Sequence, residues 1–231
     1  MLVKYLRLRE SSNRSLISGM PSVVVVDYGM GNLRSVERAL SVAAPSFSVK
    51  VSGDPRDIEN ADRIVFPGQG AMPDCMRELA KRNLIDTLRM AAAVKPFLGI
   101  CIGLQMLFEH SEEGDVDGLG LLEGSVKKFV LKRTSSDETR FKIPHVGWNT
   151  VQILRDHPIF HGIGDGEYFY FVHSYFVKPS NSDLILGKTD YSESFVSAVG
   201  NKNLVAVQFH PEKSQAFGLK MLKNFMRWHI S

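Results

Sequence analysis

The sequence predicts one α/β domain with a central, mostly parallel β-sheet and a partly antiparallel β section toward the C-terminus. Residues 23–26 are an unbroken β-branched run, which is typical of a strand buried on both faces of a parallel sheet. Helical and extended patterns then alternate as far as Ile100, and this alternation indicates βαβ units. From Leu119 onward, short extended segments recur until a helical pattern closes the chain at 215–229. Together these observations favour an α/β class over an all-α or all-β one.

The order of elements follows from the same patterns. After the first strand we predict a helix over 33–40, strands over 47–51 and 63–66, a helix over 72–93, a strand over 96–100 and a helix over 104–110. Later strands are predicted over 125–131, 148–154, 168–172, 184–188, 195–199 and 205–209. The sequence shows no internal repeat and no dividing linker, so residues 20–231 are expected to form one domain. Residues 1–19 are expected to be a disordered N-terminal extension, with Met20 as an alternative start.

Composition narrows the class of protein. The 231 residues are 44% apolar and 23% charged, which suits a globular chain with one substantial core. The 28 basic and 25 acidic residues are spread along the chain, so no nucleic-acid partner is expected. No apolar run approaches the roughly 20 residues that cross a bilayer. The two cysteines do not form a secreted disulfide framework, and we therefore expect a reducing cytoplasm.

A cysteine stands between two glycines at a predicted strand-to-helix junction, in Gly99-Ile100-Cys101-Ile102-Gly103. This pattern is that of a nucleophile elbow, with Cys in place of Ser. The glycines have a steric role, because side chains would collide at so sharp a turn. The following helix N-terminus favours a thiolate, and the N–H of Ile102 can face a developing oxyanion. The alternative interpretation is a buried structural cysteine.

A histidine and a carboxylate follow the last predicted strand. His210 can accept a proton, Glu212 can hold its ring, and Pro211 restricts the turn between them. A thiol needs such a base to become a strong nucleophile, and the base needs a fixed tautomer. The sequence therefore predicts a catalytic triad of Cys101, His210 and Glu212 that attacks a carbonyl group.

Several stretches carry a specific resemblance. Residues 99–105 (GICIGLQ) and 208–214 (QFHPEKS) resemble the class I, or triad, glutamine amidotransferases. Residues 27–33 (DYGMGNL), 144–149 (PHVGWN) and 170–175 (YFVHSY) resemble the glutaminase subunits of imidazole glycerol phosphate synthase, an enzyme of histidine biosynthesis. The match runs from about residue 23 to the end. It implies a three-layer, flavodoxin-like α/β fold.

The resemblance also implies roles for individual residues. Cys101 would form a glutamyl thioester, His210 would protonate the departing ammonia, and Glu212 would orient His210. The oxyanion strand would be 67–70, and the implied oxyanion hole comprises Gln69, Gly70 and Ile102. Position 69 departs from the family pattern, which has valine, so the resemblance leaves open how this peptide reorients.

The glutamine pocket is implied by the same comparison. Its residues would be Gln105, Glu113, Ser174 and Tyr175. Glu112 is an alternative to Glu113 as the pocket carboxylate, and Gln105 has the alternative of making only helix contacts.

The implied partner is a cyclase subunit, a (β/α)₈ barrel that uses the ammonia to make imidazole glycerol phosphate and aminoimidazole carboxamide ribonucleotide. The residues expected at this heterodimer interface are Asn32, Trp148, Tyr170 and Lys213, with a core position as the alternative for Trp148. Three functional alternatives stay open: the glutaminase of another ammonia-using synthase, a free-standing cysteine hydrolase, and a binding subunit with an idle triad.

Other motifs predict little chemistry. Residues 29–34 imitate a dinucleotide-binding loop, but Arg34 takes the place of its third glycine, so no nucleotide cofactor is expected. Cys75 lies in a helical pattern without a nearby histidine and is expected to be structural. No metal is expected, because metal-ligand spacing is absent from His110, His145, His157, His161 and His229.

Overall fold

The structure is a computed structural model that describes residues 19–131 and 141–230. Apart from Gly19, the predicted extension 1–19 lies outside the described residues. The strands are β1 (Ser22–Val26), β2 (Ser48–Ser52), β3 (Arg63–Gly68), β4 (Phe97–Cys101), β5 (Phe108–Ser111), β6 (Val116–Asp117), β7 (Leu122–Lys128), β8 (His145–Ile153), β9 (Glu167–His173), β10 (Tyr175–Pro179), β11 (Ile185–Asp190), β12 (Ser194–Asn201) and β13 (Leu204–Val207). The helices are α1 (Leu33–Ala43), α2 (Pro55–Asn60), α3 (Met72–Lys81), α4 (Ile85–Val94), α5 (Ile102–Gln105) and α6 (Gln215–Arg227). Short 3-10 turns are formed by Pro158–Phe160, Ser182–Leu184 and Pro211–Lys213.

The central sheet begins with five parallel strands in the order β2-β1-β3-β4-β13. It continues through β12, β10 and β7, each antiparallel to the strand before it in the sheet. Strand β5 then pairs parallel to β7, and β6 pairs antiparallel to β5 at the end of the sheet. Strand β11 connects β12 to β8, and β8 pairs with β9. The predicted combination of a mostly parallel sheet with an antiparallel C-terminal section is therefore confirmed.

The parallel strands form the centre of the core. Successive residues of a strand point to opposite faces, and Val23 to Val26 of β1 are all at most 3% exposed. Both faces of the sheet are consequently covered. In α1 the buried residues are Val36, Ala39, Leu40 and Ala43, which recur at the i, i+3, i+4 and i+7 spacing of a one-sided helix. Helix α1 packs against α6, and α2 packs against α4.

The register places the chemistry at one edge of the sheet. Gly68 at the end of β3 pairs with Cys101 at the end of β4. Ile100 pairs with Val207, the last residue of β13. The loops that leave the carboxyl ends of these three adjacent strands therefore begin side by side, which is where open α/β sheets bind ligands.

Two of the predicted helices were wrong, and some elements were missed. The helix predicted over 72–93 is two helices, because Asn83 between them has the left-handed φ of 55° that ends a helix. The helix predicted over 104–110 ends at Gln105, and Phe108 begins a strand that pairs with β7. Strands β6 and β10 and helix α2 were not predicted at all.

Candidate active site

Cys101 occupies a strained turn between β4 and α5. Its φ of 56° lies in the left-handed region, which non-glycine residues adopt rarely and mostly at functional sites. A Cβ atom at Gly99 would lie 2.9 Å from the Cβ of Ala206 on β13, and one at Gly103 would overlap the carbonyl oxygen of Phe66 on β3. The two glycines thus let the turn fit between neighbouring strands, as the elbow pattern predicts.

His210 lies three residues after the end of β13 and is fixed by its backbone. Its N–H donates to the carbonyl of Tyr170 at 2.9 Å, and its carbonyl accepts from Ser214 Oγ at 2.7 Å. Its Nδ1 lies 2.8 Å from Oε1 of Glu212, and the two side chains are only 9% and 2% exposed. Since a carboxylate accepts, Nδ1 carries a proton and donates it to Glu212. Nε2 has no hydrogen-bond partner among the described residues and is left for the cavity that Cys101 and His210 both line.

The electrostatics of this pair favour charge separation. Burial lowers the pKa of His210, but the neighbouring Cys101 and the carboxylate of Glu212 outweigh burial and raise that pKa to about 10. A histidine with a raised pKa is a ready acceptor for a thiol proton. The arrangement can therefore generate a thiolate beside an imidazolium.

A cavity of about 230 Å³ opens above the cysteine. Every predicted catalytic, oxyanion-hole and substrate residue except Glu212 lines it, and Glu212 lies behind His210. The lining residues are Gln69, Gly70, Cys101, Ile102, Gln105, Glu113, Pro144, Val172, His173, Ser174, Tyr175, His210 and Lys213. The structure thus brings together positions that lie far apart in the sequence.

The two candidate carboxylates of the pocket point to different places. Glu113 lines the cavity, and its Oε2 accepts from the backbone N–H of Met72 at 2.9 Å, at the start of α3. Glu112 instead binds Lys127 Nζ at 2.9 Å and the backbone N–H of Lys128 at 3.0 Å. Of the two, only Glu113 can present a carboxylate to a ligand in the cavity.

Gln105 makes contacts beyond its helix. Its Nε2 donates to the carbonyl of Tyr175 and to Oε1 of Gln208, each at 3.0 Å. The Nε2 of Gln208 in turn lies 3.7 Å from the Sγ of Cys101. The sequence prediction did not include Gln208, although its position two residues before His210 places both side chains on one face of an extended segment.

Three of the four predicted partner residues lie together beside the cavity. Trp148 opposes Tyr170 across the β8–β9 pair, with ring centroids 6.1 Å apart, and it is 45% exposed rather than a core residue. Lys213 Nζ lies 5.7 Å from the centre of the Tyr170 ring and lines the cavity. Asn32 is exposed at the start of α1, and the preceding Gly31 lies against Gly68 of β3.

Cys75 lies beside the backbone of Gln69. It is buried in α3, its Sγ lies 3.6 Å from the carbonyl oxygen of Gln69, and burial raises its pKa to about 11. Within residues 19–131 and 141–230, no group of three or more His, Cys, Asp or Glu side chains could hold a metal ion. Over the same ranges no helix is long and apolar enough to span a membrane.

Comparison with known proteins identifies the family. The family model for class-I glutamine amidotransferases matches residues 24–228. The chain is 57% identical over 210 residues to the imidazole glycerol phosphate synthase subunit HisH of Aromatoleum aromaticum, covering 90% of this chain and 99% of that protein. It is also 54% identical over 208 residues to HisH of Thiobacillus denitrificans, covering 90% of this chain and 91% of that protein. Both names describe one subunit of a synthase.

A solved structure agrees on the fold. It is that of a glutamine amidotransferase, with a TM-score of 0.65, 16% identity and coverage of 90% of this chain and 98% of that one. The predicted fold class is confirmed by this likeness. The chain therefore belongs to the class-I glutamine amidotransferases, and within that family to the HisH subunits of imidazole glycerol phosphate synthase.

Proposed function

We propose that this chain hydrolyses glutamine to glutamate and ammonia and passes the ammonia to a cyclase subunit. The cyclase would use it to make imidazole glycerol phosphate and aminoimidazole carboxamide ribonucleotide. One observation carries the proposal: Cys101 at its strained turn and His210, held at 2.8 Å by Glu212, share a single cavity.

The first half of the reaction forms a thioester. His210 Nε2 takes the thiol proton of Cys101, and the sulfur attacks the side-chain amide carbon of glutamine. Negative charge then develops on the amide oxygen. The backbone N–H of Ile102, at the first position of α5, and the peptides of Gln69 and Gly70 line the cavity where that oxygen would lie.

The second half releases the products. The imidazolium of His210 gives its proton to the nitrogen that leaves as ammonia, which leaves a glutamyl thioester on Cys101. A water molecule, deprotonated by the same Nε2, attacks the thioester carbon, and glutamate departs as the thiol is restored. Glu212 keeps Nδ1–H in place throughout, so Nε2 alone exchanges protons.

Recognition of glutamine needs partners for both charges of its amino-acid end. The carboxylate of Glu113 lines the cavity and suits the ammonium group. Ser174 and Tyr175 also line the cavity, at the bend between β9 and β10, where backbone and hydroxyl donors suit the carboxylate. Gln105 supports this wall through the carbonyl of Tyr175.

The proposed partner would dock over the cavity mouth. The exposed Trp148 and the half-buried Tyr170 form an aromatic pair there, and Lys213 connects it to the cavity lining. Aromatic residues are enriched at the centre of protein interfaces. Ammonia that is released into water would be protonated, so a covering partner preserves its nucleophilicity. The reaction also needs Cys101 as a free thiol, which fits a cytoplasmic location.

The test is glutamate release from glutamine by the purified chain, alone and with the cyclase subunit and its ribonucleotide ligand. We expect activity that depends on Cys101 and increases with partner and ligand together. Rapid quenching and mass spectrometry should detect the glutamyl adduct in Cys75→Ala and lose it in Cys101→Ala, since these are the two cysteines of the chain.

The outcomes separate the open alternatives. Glutamate release at the same rate with and without the cyclase subunit would indicate a free-standing hydrolase or the glutaminase of another synthase. Absence of both glutamate and adduct, with partner and ligand present, would indicate an idle triad.

A further inference from the structure

Two buried histidines beside the cavity have no part in the triad. His173, the last residue of β9, lines the cavity, and His145, the first residue of β8, lies behind it. Nδ1 of His145 is 3.0 Å from Nε2 of His173. The two residues belong to the stretches 144–149 and 170–175, which carry the resemblance to the synthase glutaminases. Neither histidine takes part in the steps proposed above.

One end of this pair is set by an asparagine whose orientation is fixed. Asn149 Oδ1 accepts from the backbone N–H of Thr150 at 2.8 Å, and Nδ2 donates to the carbonyl of Asp190 at 2.9 Å. The same Nδ2 lies 3.3 Å from Nε2 of His145. Because an amide nitrogen can only donate, Nε2 of His145 must accept. Its proton is therefore on Nδ1, facing His173.

The other end is set by a carbonyl. Nδ1 of His173 lies 2.8 Å from the carbonyl oxygen of Tyr175, which can only accept, so Nδ1 of His173 carries the proton. Nε2 of His173 is then the acceptor for His145. The four groups form one hydrogen-bond chain with a single direction, from Asn149 through His145 and His173 to the carbonyl of Tyr175.

Both histidines must be neutral for this chain to exist. A second proton on either ring would set two donors against each other at one link. Burial lowers the pKa of His145 to about 4, and burial together with the nearby His145 and His210 lowers that of His173 to about 3, although the bond to Tyr175 acts in the opposite direction. Both histidines are consequently neutral at pH 7, and the hydrogen bonds keep the same donor-to-acceptor direction.

The hydrogen-bond chain ends at the cavity wall that we propose for glutamine binding. The carbonyl of Tyr175 accepts from both His173 and Gln105, and the carbonyl of Ser174 accepts from the N–H of Phe129 at 3.1 Å. These bonds hold the bend at Ser174, where the chain leaves β9 and begins β10. The bend would otherwise be an unpaired break between two strands.

We propose that His173 and His145 are positioning residues, whose directed hydrogen-bond chain holds Ser174 and Tyr175 in place for the amino-acid end of glutamine. This inference rests on the proposed glutaminase function. It assigns the two histidines to substrate affinity rather than to proton transfer at Cys101.

A purely structural role is the competing explanation, and the structure shows how to separate the two. His145 stacks on Tyr191 with ring centroids 4.0 Å apart and on Phe171 at 4.9 Å. A His→Phe change keeps an aromatic ring but removes the hydrogen bonds. A His→Asn change removes the ring but keeps a donor near the position of Nδ1. Hydrogen bonding and packing therefore predict opposite orders for the two variants.

The experiment measures KM and kcat for glutamine in the complex with the cyclase subunit, for His173→Phe, His173→Asn, His145→Phe and His145→Asn. We expect the Phe variants to raise KM about tenfold, as for a lost bond to a buried polar group, with kcat within about threefold of wild type. The Asn variants should recover most of the loss. His157→Phe, a change at a histidine that packs edge-to-face against Trp228 outside the cavity, should leave KM unchanged.

Asn variants as impaired as the Phe variants, or kcat losses without a change in KM, would overturn the proposal. A second measurement needs no activity: ¹⁵N spectra of labelled histidines at pH 7 should show the Nδ1–H tautomer for both residues. An Nε2–H tautomer or an imidazolium at either position would also refute the chain. If the wild-type complex releases no glutamate while both tautomers are as expected, the proposed function fails and the hydrogen-bond chain stands.

Discussion

Replacing Glu212 by Gln tests the triad with the smallest change in shape. The carboxylate accepts from His210 Nδ1 at 2.8 Å and is 2% exposed, so water cannot substitute for it. Its other oxygen, Oε2, has no hydrogen-bond partner in the described part of the chain. A glutamine amide at this position can therefore face His210 in either of two orientations.

Each orientation predicts a different loss. With the amide oxygen toward His210, the tautomer survives but the charge is lost, and a charge-assisted bond is typically worth about 1.5 to 3 kcal/mol, or roughly 10- to 150-fold in rate. With the amide nitrogen toward His210, Nδ1 must accept, the proton moves to Nε2, and the base can no longer take the thiol proton. A change of this second kind in a serine protease lowers kcat by about 10⁴.

We therefore expect Glu212→Gln to lower kcat by a factor between about 10 and 10⁴, depending on the orientation, with KM for glutamine within about threefold of wild type. The assay is initial-rate glutamate formation at saturating glutamine, in the presence of the cyclase subunit and its ligand. Glu112→Gln is the matched control, because that carboxylate binds Lys127 away from the cavity. A kcat for Glu212→Gln within threefold of wild type would refute the assignment of Glu212.

Three further predictions concern the pocket, the elbow and acid stability. Glu113→Gln should raise KM about tenfold or more at little-changed kcat. A raised KM in Glu112→Gln but not in Glu113→Gln would show that Glu112 is the pocket carboxylate and would contradict the assignment. Gly103→Ala should lower the free energy of unfolding by about 2 to 4 kcal/mol in urea titrations, because its Cβ would overlap a backbone carbonyl, and an unchanged midpoint would contradict this. The pKa values of His145 and His173, about 4 and 3 in the fold against 6.5 unfolded, give a stabilisation that is present above pH 6.5 and lost as pH falls. Urea titrations between pH 6.5 and 4 should show a loss of up to about 1.4 kcal/mol per pH unit per histidine, and His145→Asn should make the slope shallower.

Much of the fold could be predicted because its buried strands have a strong local signature. The run at 23–26 is apolar throughout and forms β1, and the segments predicted at 63–66 and 96–100 form β3 and β4 with shifts of one or two residues at their ends. The errors arose where a tertiary contact overrides the local pattern. Phe108 has the apolar spacing of a helix but is buried as a strand, because it pairs with Leu122 of β7.

The candidate site was predictable to the extent that its chemistry is local in sequence. The elbow at Cys101 and the pair of His210 and Glu212 each occupy a few consecutive residues, and a short spacing encodes their geometry. Gln208 and the pair of His145 and His173 were missed for the opposite reason. Their contacts join residues 28 to 107 positions apart, and a neutral histidine in a buried hydrogen-bond chain has no local pattern.

The strand order explains why these distant pieces meet. Strand β4 lies between β3 and β13, although β13 follows it by more than a hundred residues, and all three run in the same direction. Their carboxyl ends therefore bring Gln69, Cys101 and His210 to one edge of the sheet. The antiparallel section begins one strand further on, at β12, and strands β9 and β10 of this section supply the wall that contains His173 and Ser174. One wall of the cavity is thus built from each kind of strand pairing, with the elbow on the parallel side and Ser174 on the antiparallel side. Variants of His145 and variants of Glu212 should accordingly act on different kinetic constants, KM for the former and kcat for the latter.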